Sequence, residues 1–308
     1  MTTPSPRNKL LIDRASKIQQ KFKIAVINPI SSETLAGALN AAEQGLIEPV
    51  LIGPKSKVEQ VAQQIGKDIT KYELIDVTST LSAVNRAAEL AKEGQVKALM
   101  KGSIHTSELM RVVVSRDAGL RTGRRVSHCL VADVPTYEKL LILTDVAINI
   151  SPDLLIKKEI VQNAIDFAQA LDVRVPSVAL LSFVETVMPD VAASTDAAVL
   201  CKMAERGQIT GGVLDGPLSI DLAISEEAAA LKHFKRILPV NPDIFVVPDL
   251  NSGNITFKVL DYMAGAQSAG IVLGAKVPVI LVRRSSPAVE HLISCALAKI
   301  YSHYCQQL

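Results

Sequence analysis

Short apolar runs rich in β-branched residues alternate with longer amphipathic stretches along most of this chain. Residues 24–27 read as a strand, followed by a helix over 32–44 that starts at Ser31 or Ser32. A second strand at 49–52 ends at Gly53-Pro54, and a helix follows over 57–65. The alternation continues through 72–77, 81–93, 98–100 and 107–114. Strands apolar on both faces and joined by helices predict parallel sheets in an α/β fold.

Residues 140–150 break this rhythm with a nearly continuous extended run that ends at Ser151-Pro152-Asp153. Ser-Pro-Asp is a helix-start signal, and 154–171 has helical periodicity. We place a domain crossing here. A second βα series follows at 178–181, 195–206, 209–214, 225–233, 244–247 and 254–263, then strands near 270–273 and 279–282 and a last helix from Pro287. Two α/β lobes with a cleft between them are expected.

The 308 residues are 48% hydrophobic, so a substantial core needs no staples. Thirty-three basic residues against 31 acidic give a net charge of +2, which argues against nucleic acid or a membrane surface as the main partner. The four cysteines form no CxxC pair and the five histidines are scattered, which fits a reducing cytoplasm and gives no zinc-site spacing. The segment MTTPSPRNKLLIDR lacks the apolar core of a signal peptide, and no apolar run reaches membrane-spanning length.

Four segments carry candidate chemistry. Lys101-Gly102-Ser103-Ile104-His105-Thr106 follows an apolar strand and offers a lysine, a glycine and hydroxyls to an anion. Thr106 or Ser107 also suits a helix cap, a role compatible with binding. Arg111, Arg116, Arg121, Arg124 and Arg125 follow, either as a solvated helix face or as a polyphosphate site. Asp249-Leu250-Asn251-Ser252-Gly253-Asn254 lies after a strand, where loops of open α/β sheets line ligand crevices. Arg283-Arg284-Ser285-Ser286-Pro287 leads into a helix with Glu290 in its first turn, and concentrates positive charge where backbone donors point. Asp215-Gly216-Pro217 reads as a tight turn. GxxxxGK[ST], GxGxxG and GxSxG are all absent, which removes support for nucleotide hydrolysis, a standard dinucleotide fold and serine-hydrolase chemistry.

Ala98-Leu-Met-Lys-Gly-Ser-Ile-His-Thr106, Gly119-Leu-Arg-Thr122, Asp145-Val-Ala-Ile-Asn-Ile-Ser-Pro-Asp153, the run from Leu200 to Pro217, Val247-Pro-Asp-Leu-Asn-Ser-Gly-Asn254 and the run from Gly270 to Pro278 occur in order. In this series the chain resembles the phosphate acetyltransferase and phosphate butyryltransferase family. It is particularly similar to the acyltransferase region of bifunctional enoyl-CoA hydratase/phosphate acetyltransferases, with no hydratase segment. The resemblance implies two α/β domains with the site in the cleft, as in isocitrate and isopropylmalate dehydrogenases, and a final helix returning to the first domain. The expected division is 1–149 plus 288–308 against 150–287. The implied reaction converts acyl-CoA and phosphate reversibly to acyl phosphate and CoA. CoA is then a substrate, with no permanently bound cofactor and no metal, in a cytoplasmic homodimer.

By the same resemblance Arg284 is the phosphate-binding arginine and Glu290 the base for the CoA thiol, with Ser285 nearby. Lys101, Gly102, Ser103 and Thr106 line the acyl phosphate site, with Asn251, Gly253, Asn254 and Arg283. Our own reading assigns Arg111, Arg121 and Arg124 to the CoA phosphates. One departure stands out. The family commonly has Ser-Arg, often within Thr-Ser-Arg-Ala-Asp, where this chain has Arg283-Arg284 followed by Ser285-Ser286.

Overall fold

The computed structural model describes residues 3–283 and 286–307. The chain divides into two compact units, one of residues 1–126 and 269–308, the other of residues 127–268.

The first unit opens with helix α1 (Pro6–Lys17), not anticipated from the periodicity, which starts on Ser5 as cap with proline in its first turn. Then come β1 (Lys23–Ile27), α2 (Ser32–Glu43), β2 (Glu48–Gly53), α3 (Lys55–Gln64), β3 (Glu73–Asp76), α4 (Thr80–Lys92), β4 (Ala98–Lys101) and α5 (Thr106–Val113). Of the two candidate caps of α2, Ser31 serves, accepting from the Thr34 N–H.

The second unit holds β5 (Ser127–Asp133), β6 (Leu141–Thr144), α6 (Leu154–Ala170), β7 (Ser177–Leu181), α7 (Ala192–Glu205), β8 (Val213–Leu218), α8 (Ile220–Ile224), α9 (Glu226–Leu231), β9 (Ile244–Val246) and α10 (Leu250–Tyr262). The chain then re-enters the first unit through β10 (Gln267–Leu273), β11 (Val279–Ile280) and α11 (Ala288–Cys305).

The division differs from the one expected at 149/150 and 287/288. β5 and β6 pair with each other, and β6 pairs with β9, so residues 127–144 belong to the second unit. β11 pairs with β4, so 269–287 belong to the first. In the first unit the strands lie in the order β3-β2-β1-β4-β11-β10, and in the second β5-β6-β9-β7-β8. Most pairs are parallel, as expected. β10 with β11 and β5 with β6 are antiparallel, because their short connections cannot make the crossover of a dozen or more residues that parallel pairing needs.

Two further expectations give way. The extended run over 140–150 stops at Thr144, because the Asp145 carboxylate gathers the N–H groups of Ala147, Ile148 and Asn149 at 2.9, 3.0 and 3.1 Å and so bends the chain. Asp215-Gly216-Pro217 is no turn but part of β8. The pairing of β8 with β7 slips between Ala179 and Leu181, and this irregularity accommodates a proline that cannot donate to the ladder.

The core of the second unit includes Leu143, Ala179, Leu218 and Phe245, with Tyr137 edge-on to Phe245 at 6.2 Å. In the first unit Ile24, Ile27, Leu51, Ile52, Leu99 and Met100 are fully buried between helices. Burying each such side chain contributes about 1.5–3 kcal/mol before entropy is counted. This rigid, apolar sheet is what fixes the polar loops at its ends.

Candidate active site

Two loops leave adjacent parallel strands of the first unit at the same end. β4 and β11 are in register through Leu99 with Val279 and Met100 with Ile280. The loop from Lys101 and the segment leading to Arg283 therefore emerge one strand spacing apart, about 5 Å. C-terminal strand ends of open α/β sheets are where ligands bind.

The first loop turns back sharply over β1. Gly102 N–H donates to Ile27 O and Ser103 N–H to Asn28 O, both at 2.9 Å. Asn28 returns a side-chain amide bond to Ser103 O at 2.8 Å. A Cβ on residue 102 would lie 2.3 Å from Ile27 O, so only glycine permits this approach. Lys101 is buried rather than spread on the surface, with Nζ 3.4 Å from Gly102 O and 3.5 Å from Ile104 O. Its charge is thereby held beneath the loop. Helix α5 begins at Thr106 itself, with His105 in the cap position and no side-chain cap bond. Neither Thr106 nor Ser107 acts as the expected cap. The first-turn backbone donors, left without one, suit an anion.

The second loop carries Arg283 into α11. Arg284 and Ser285 lie outside the described residues. Arg283 Nη2 is 3.0 Å from Glu290 Oε1, and Ser286 Oγ donates to Glu290 Oε2. Both oxygens of Glu290 are thus engaged, and Arg283, which replaces the expected serine, holds one of them. The next residue, His291, packs against Gly37 of α2. Burial pushes its pKa down to about 4, and the Lys101 charge acts in the same direction. The start of α11 and the Lys101 loop therefore share one electrostatic environment.

Arg111, Arg121 and Arg124 are all exposed. Arg111 lies in the last turn of α5. Arg121 bridges to Ala275, Thr122 Oγ1 donates to Gly274 O at 2.6 Å, and Arg124 N–H donates to Thr122 Oγ1 at 3.0 Å. The segment is thus pinned to the β10–β11 connection, and the arginines project from a fixed base.

In the second unit, Asn251, Gly253 and Asn254 occupy the first turns of α10, which Asp249 caps through the Ser252 N–H at 2.8 Å. Asn251 is exposed. Gly253 is buried where a Cβ would meet Asp145 O at 2.5 Å. Asn254 Nδ2 donates to Val146 O at 3.3 Å. Gly253 and Asn254 thereby tie α10 to the loop that Asp145 organises. Asp145 itself, which also accepts from Asn149 Nδ2 at 2.7 Å, escaped the reading of candidate residues. Its signal was its place directly after an apolar strand.

Protein thiols do not supply a nucleophile at three of the four cysteines. Burial raises the pKa of Cys129, Cys201 and Cys295 to about 12, so almost no thiolate exists near neutrality. Among the described residues no group of three or more histidine, cysteine, aspartate or glutamate side chains could hold a metal ion, and no helix is long and apolar enough to cross a membrane.

A buried lysine in the loop after β4, beside the segment that leads from β11 into α11, gives this α/β fold a place suited to an anionic small molecule. Residues 77–298 match the family described as phosphate acetyl/butaryl transferase. A phosphate acetyltransferase of Rhizobium meliloti is 45% identical over 299 residues, covering 97% of this chain and 94% of that protein. A phosphate butyryltransferase of Clostridium acetobutylicum is 34% identical over 293 residues, covering 95% and 97%. The crystal structure of a branched-chain phosphotransacylase from Enterococcus faecalis superposes with a TM-score of 0.80 at 28% identity, covering 92% of this chain and 99% of that one. The chain belongs to the phosphate acetyl/butyryl transferase family, a family of acyltransferases.

Proposed function

We propose that this protein transfers an acetyl or butyryl group reversibly between CoA and inorganic phosphate. The observation that carries the reading at the level of residues is the engaged Glu290 carboxylate in the first turn of α11, the helix that follows β11 beside the Lys101 strand. The family match supports the same reaction.

In the direction of acyl-CoA synthesis, Glu290 takes the proton of the CoA thiol. A free thiol has a pKa near 8.5, so at neutral pH a base raises the thiolate fraction where it is needed. The thiolate attacks the acyl carbonyl carbon, and the electron pair of the carbonyl moves onto oxygen. Ser103, Thr106 and the first-turn N–H groups of α5 supply donors for that oxyanion. Collapse breaks the bond between carbonyl carbon and phosphate oxygen, and phosphate departs toward Lys101 and Arg284. The proton held by Glu290 then passes to the departing phosphate or to solvent. Arg283 holds one oxygen of that carboxylate in place until the thiol arrives. Arg111, Arg121 and Arg124 offer charge to the CoA phosphates.

CoA is a substrate in this scheme. We also infer a homodimer. Ile255, Val259, Tyr262 and Met263 form an exposed apolar stripe at helical spacing along α10, the kind of face that a second copy covers.

The reaction is tested by thioester formation from CoA with acetyl, propionyl and butyryl phosphate. Phosphate-dependent turnover is expected with at least one of them, and Arg284→Ala should be nearly inactive. No thioester with any member of the series would overturn the reading.

A further inference from the structure

Glu290 is held by two partners of unequal freedom. Ser286, which donates to Oε2, is buried, with 4% of its surface exposed. Arg283, 3.0 Å from Oε1, keeps 33% of its side chain open to solvent, against 15% for Glu290. An ion pair this open adds little to stability. It does obstruct the chemistry, because a base that takes the thiol proton needs a free oxygen. Here a hydroxyl occupies one oxygen and a guanidinium the other. One partner has to leave. The buried hydroxyl is packed in place, and the guanidinium stands on the open side at the end of a long, flexible side chain.

The neighbouring strand supplies a reason for Arg283 to leave. β4 and β11 are in register, so the Lys101 loop and the segment that ends in Arg283 emerge one strand spacing apart. Lys101 is itself buried and holds its charge under that loop. The phosphoryl group of an acyl phosphate drawn there carries two negative charges on three terminal oxygens, against one charge on a carboxylate. A guanidinium binds such a group through two parallel N–H bonds. The phosphoryl group is therefore the stronger competitor for Arg283.

We propose that Arg283 is a latch released by substrate: it holds Glu290 until an acyl phosphate binds, then passes to the phosphoryl group and frees Glu290 Oε1 for the thiol proton. Ser286 stays on Oε2 and keeps the carboxylate turned toward the thiol. The thiol is thereby ionised only when its acyl partner is in place. The assignment rests on the acyl-transfer reading and adds a coupling between its two substrates.

Inorganic phosphate has the same charged head and starts no reaction by itself. It is titrated by calorimetry into the full-length wild type, Glu290→Gln, Arg283→Ser and the double variant, each confirmed as folded by circular dichroism. Glu290→Gln is expected to tighten phosphate about five- to tenfold, since Arg283 no longer has to leave a carboxylate. Arg283→Ser should weaken phosphate by a similar factor, and adding Glu290→Gln to it should change little. Glu290→Ala is read in the same way if Glu290→Gln does not fold. Plain repulsion between carboxylate and phosphate gives the opposite pattern, an effect of Glu290→Gln at least as large once the neutralising arginine is gone. That pattern, or no tightening when Arg283 is present, would overturn the proposal. Tightening that depends on Arg283, with no thioester formed from any acyl phosphate, would keep the exchange of Arg283 and sink the acyl-transfer reading. Turnover with phosphate affinity unmoved by Glu290→Gln would keep that reading and sink the latch.

Discussion

Arg283 shows how one side chain alters the chemistry of its neighbour. Where the family commonly places a serine, this chain places a guanidinium 3.0 Å from Glu290, while Ser286 donates to the other carboxylate oxygen. A hydroxyl is thus still supplied to this corner, but to the base. Glu290→Gln should lower kcat by about two to four orders of magnitude, the range typical of removing a general base, with the fold unchanged by circular dichroism. Arg283→Ser should move the acidic limb of the kcat/KM profile to higher pH, because a carboxylate without its adjacent cation is easier to protonate. An unmoved limb would show that Glu290 is not the titrating group. The candidate residues were legible because glycine, lysine and hydroxyls after an apolar strand announce an anion site. The pairing of Arg283 with Glu290 was not, since side-chain direction at the start of α11 depends on the sheet beneath it.

At the scale of elements, the Lys101 loop works through its turn over β1. Gly102→Ala places a methyl group against Ile27 O and Asn28 O and should cost about 1–3 kcal/mol of stability. It should also raise the KM for acyl phosphate, since Ser103 and the start of α5 move with the loop. Chemical denaturation and steady-state kinetics check the two parts. Element positions were largely readable from periodicity, including the starts of α2, α6 and α11. The failures share a cause. β5 was overlooked because Ser127, His128 and Asp133 interrupt its apolar run although all three are buried, and α1 because its signal is only Ser5-Pro6 before a polar helix. Asp215-Gly216-Pro217 has turn composition, yet tertiary pairing with β7 draws it into a strand. The ion pair of Lys157 with Asp196 was invisible, since the two meet across 39 positions of sequence.

Across the whole molecule, two buried histidines tie stability to pH. Burial lowers the pKa of both His128 and His291 from 6.5 to about 4, with the Asp145 charge only partly offsetting this at His128. Both rings are therefore neutral in the folded chain near pH 5–6, while the unfolded chain protonates them below about pH 6.5. Their stabilising contribution is complete above that value and is lost as pH falls toward 4, by up to about 1.4 kcal/mol per pH unit for each ring. Denaturant midpoints measured at pH 7 and pH 5 should fall accordingly, and His291→Gln should flatten the slope. Sedimentation equilibrium should give a dimer that Val259→Asp together with Met263→Asp dissociates; an unchanged mass would rule out the α10 stripe as the interface. By itself the sequence determined the α/β class, the family and the reaction, because periodicity and an ordered motif series are local properties of the chain. The tertiary structure alone decided that residues 127–144 join the second unit, that β11 lies beside β4 and so sets Arg283 next to the Lys101 loop, and that Glu290 is clasped from both sides. Strand order and side-chain pairing are choices among distant partners, and only the packed sheet makes them.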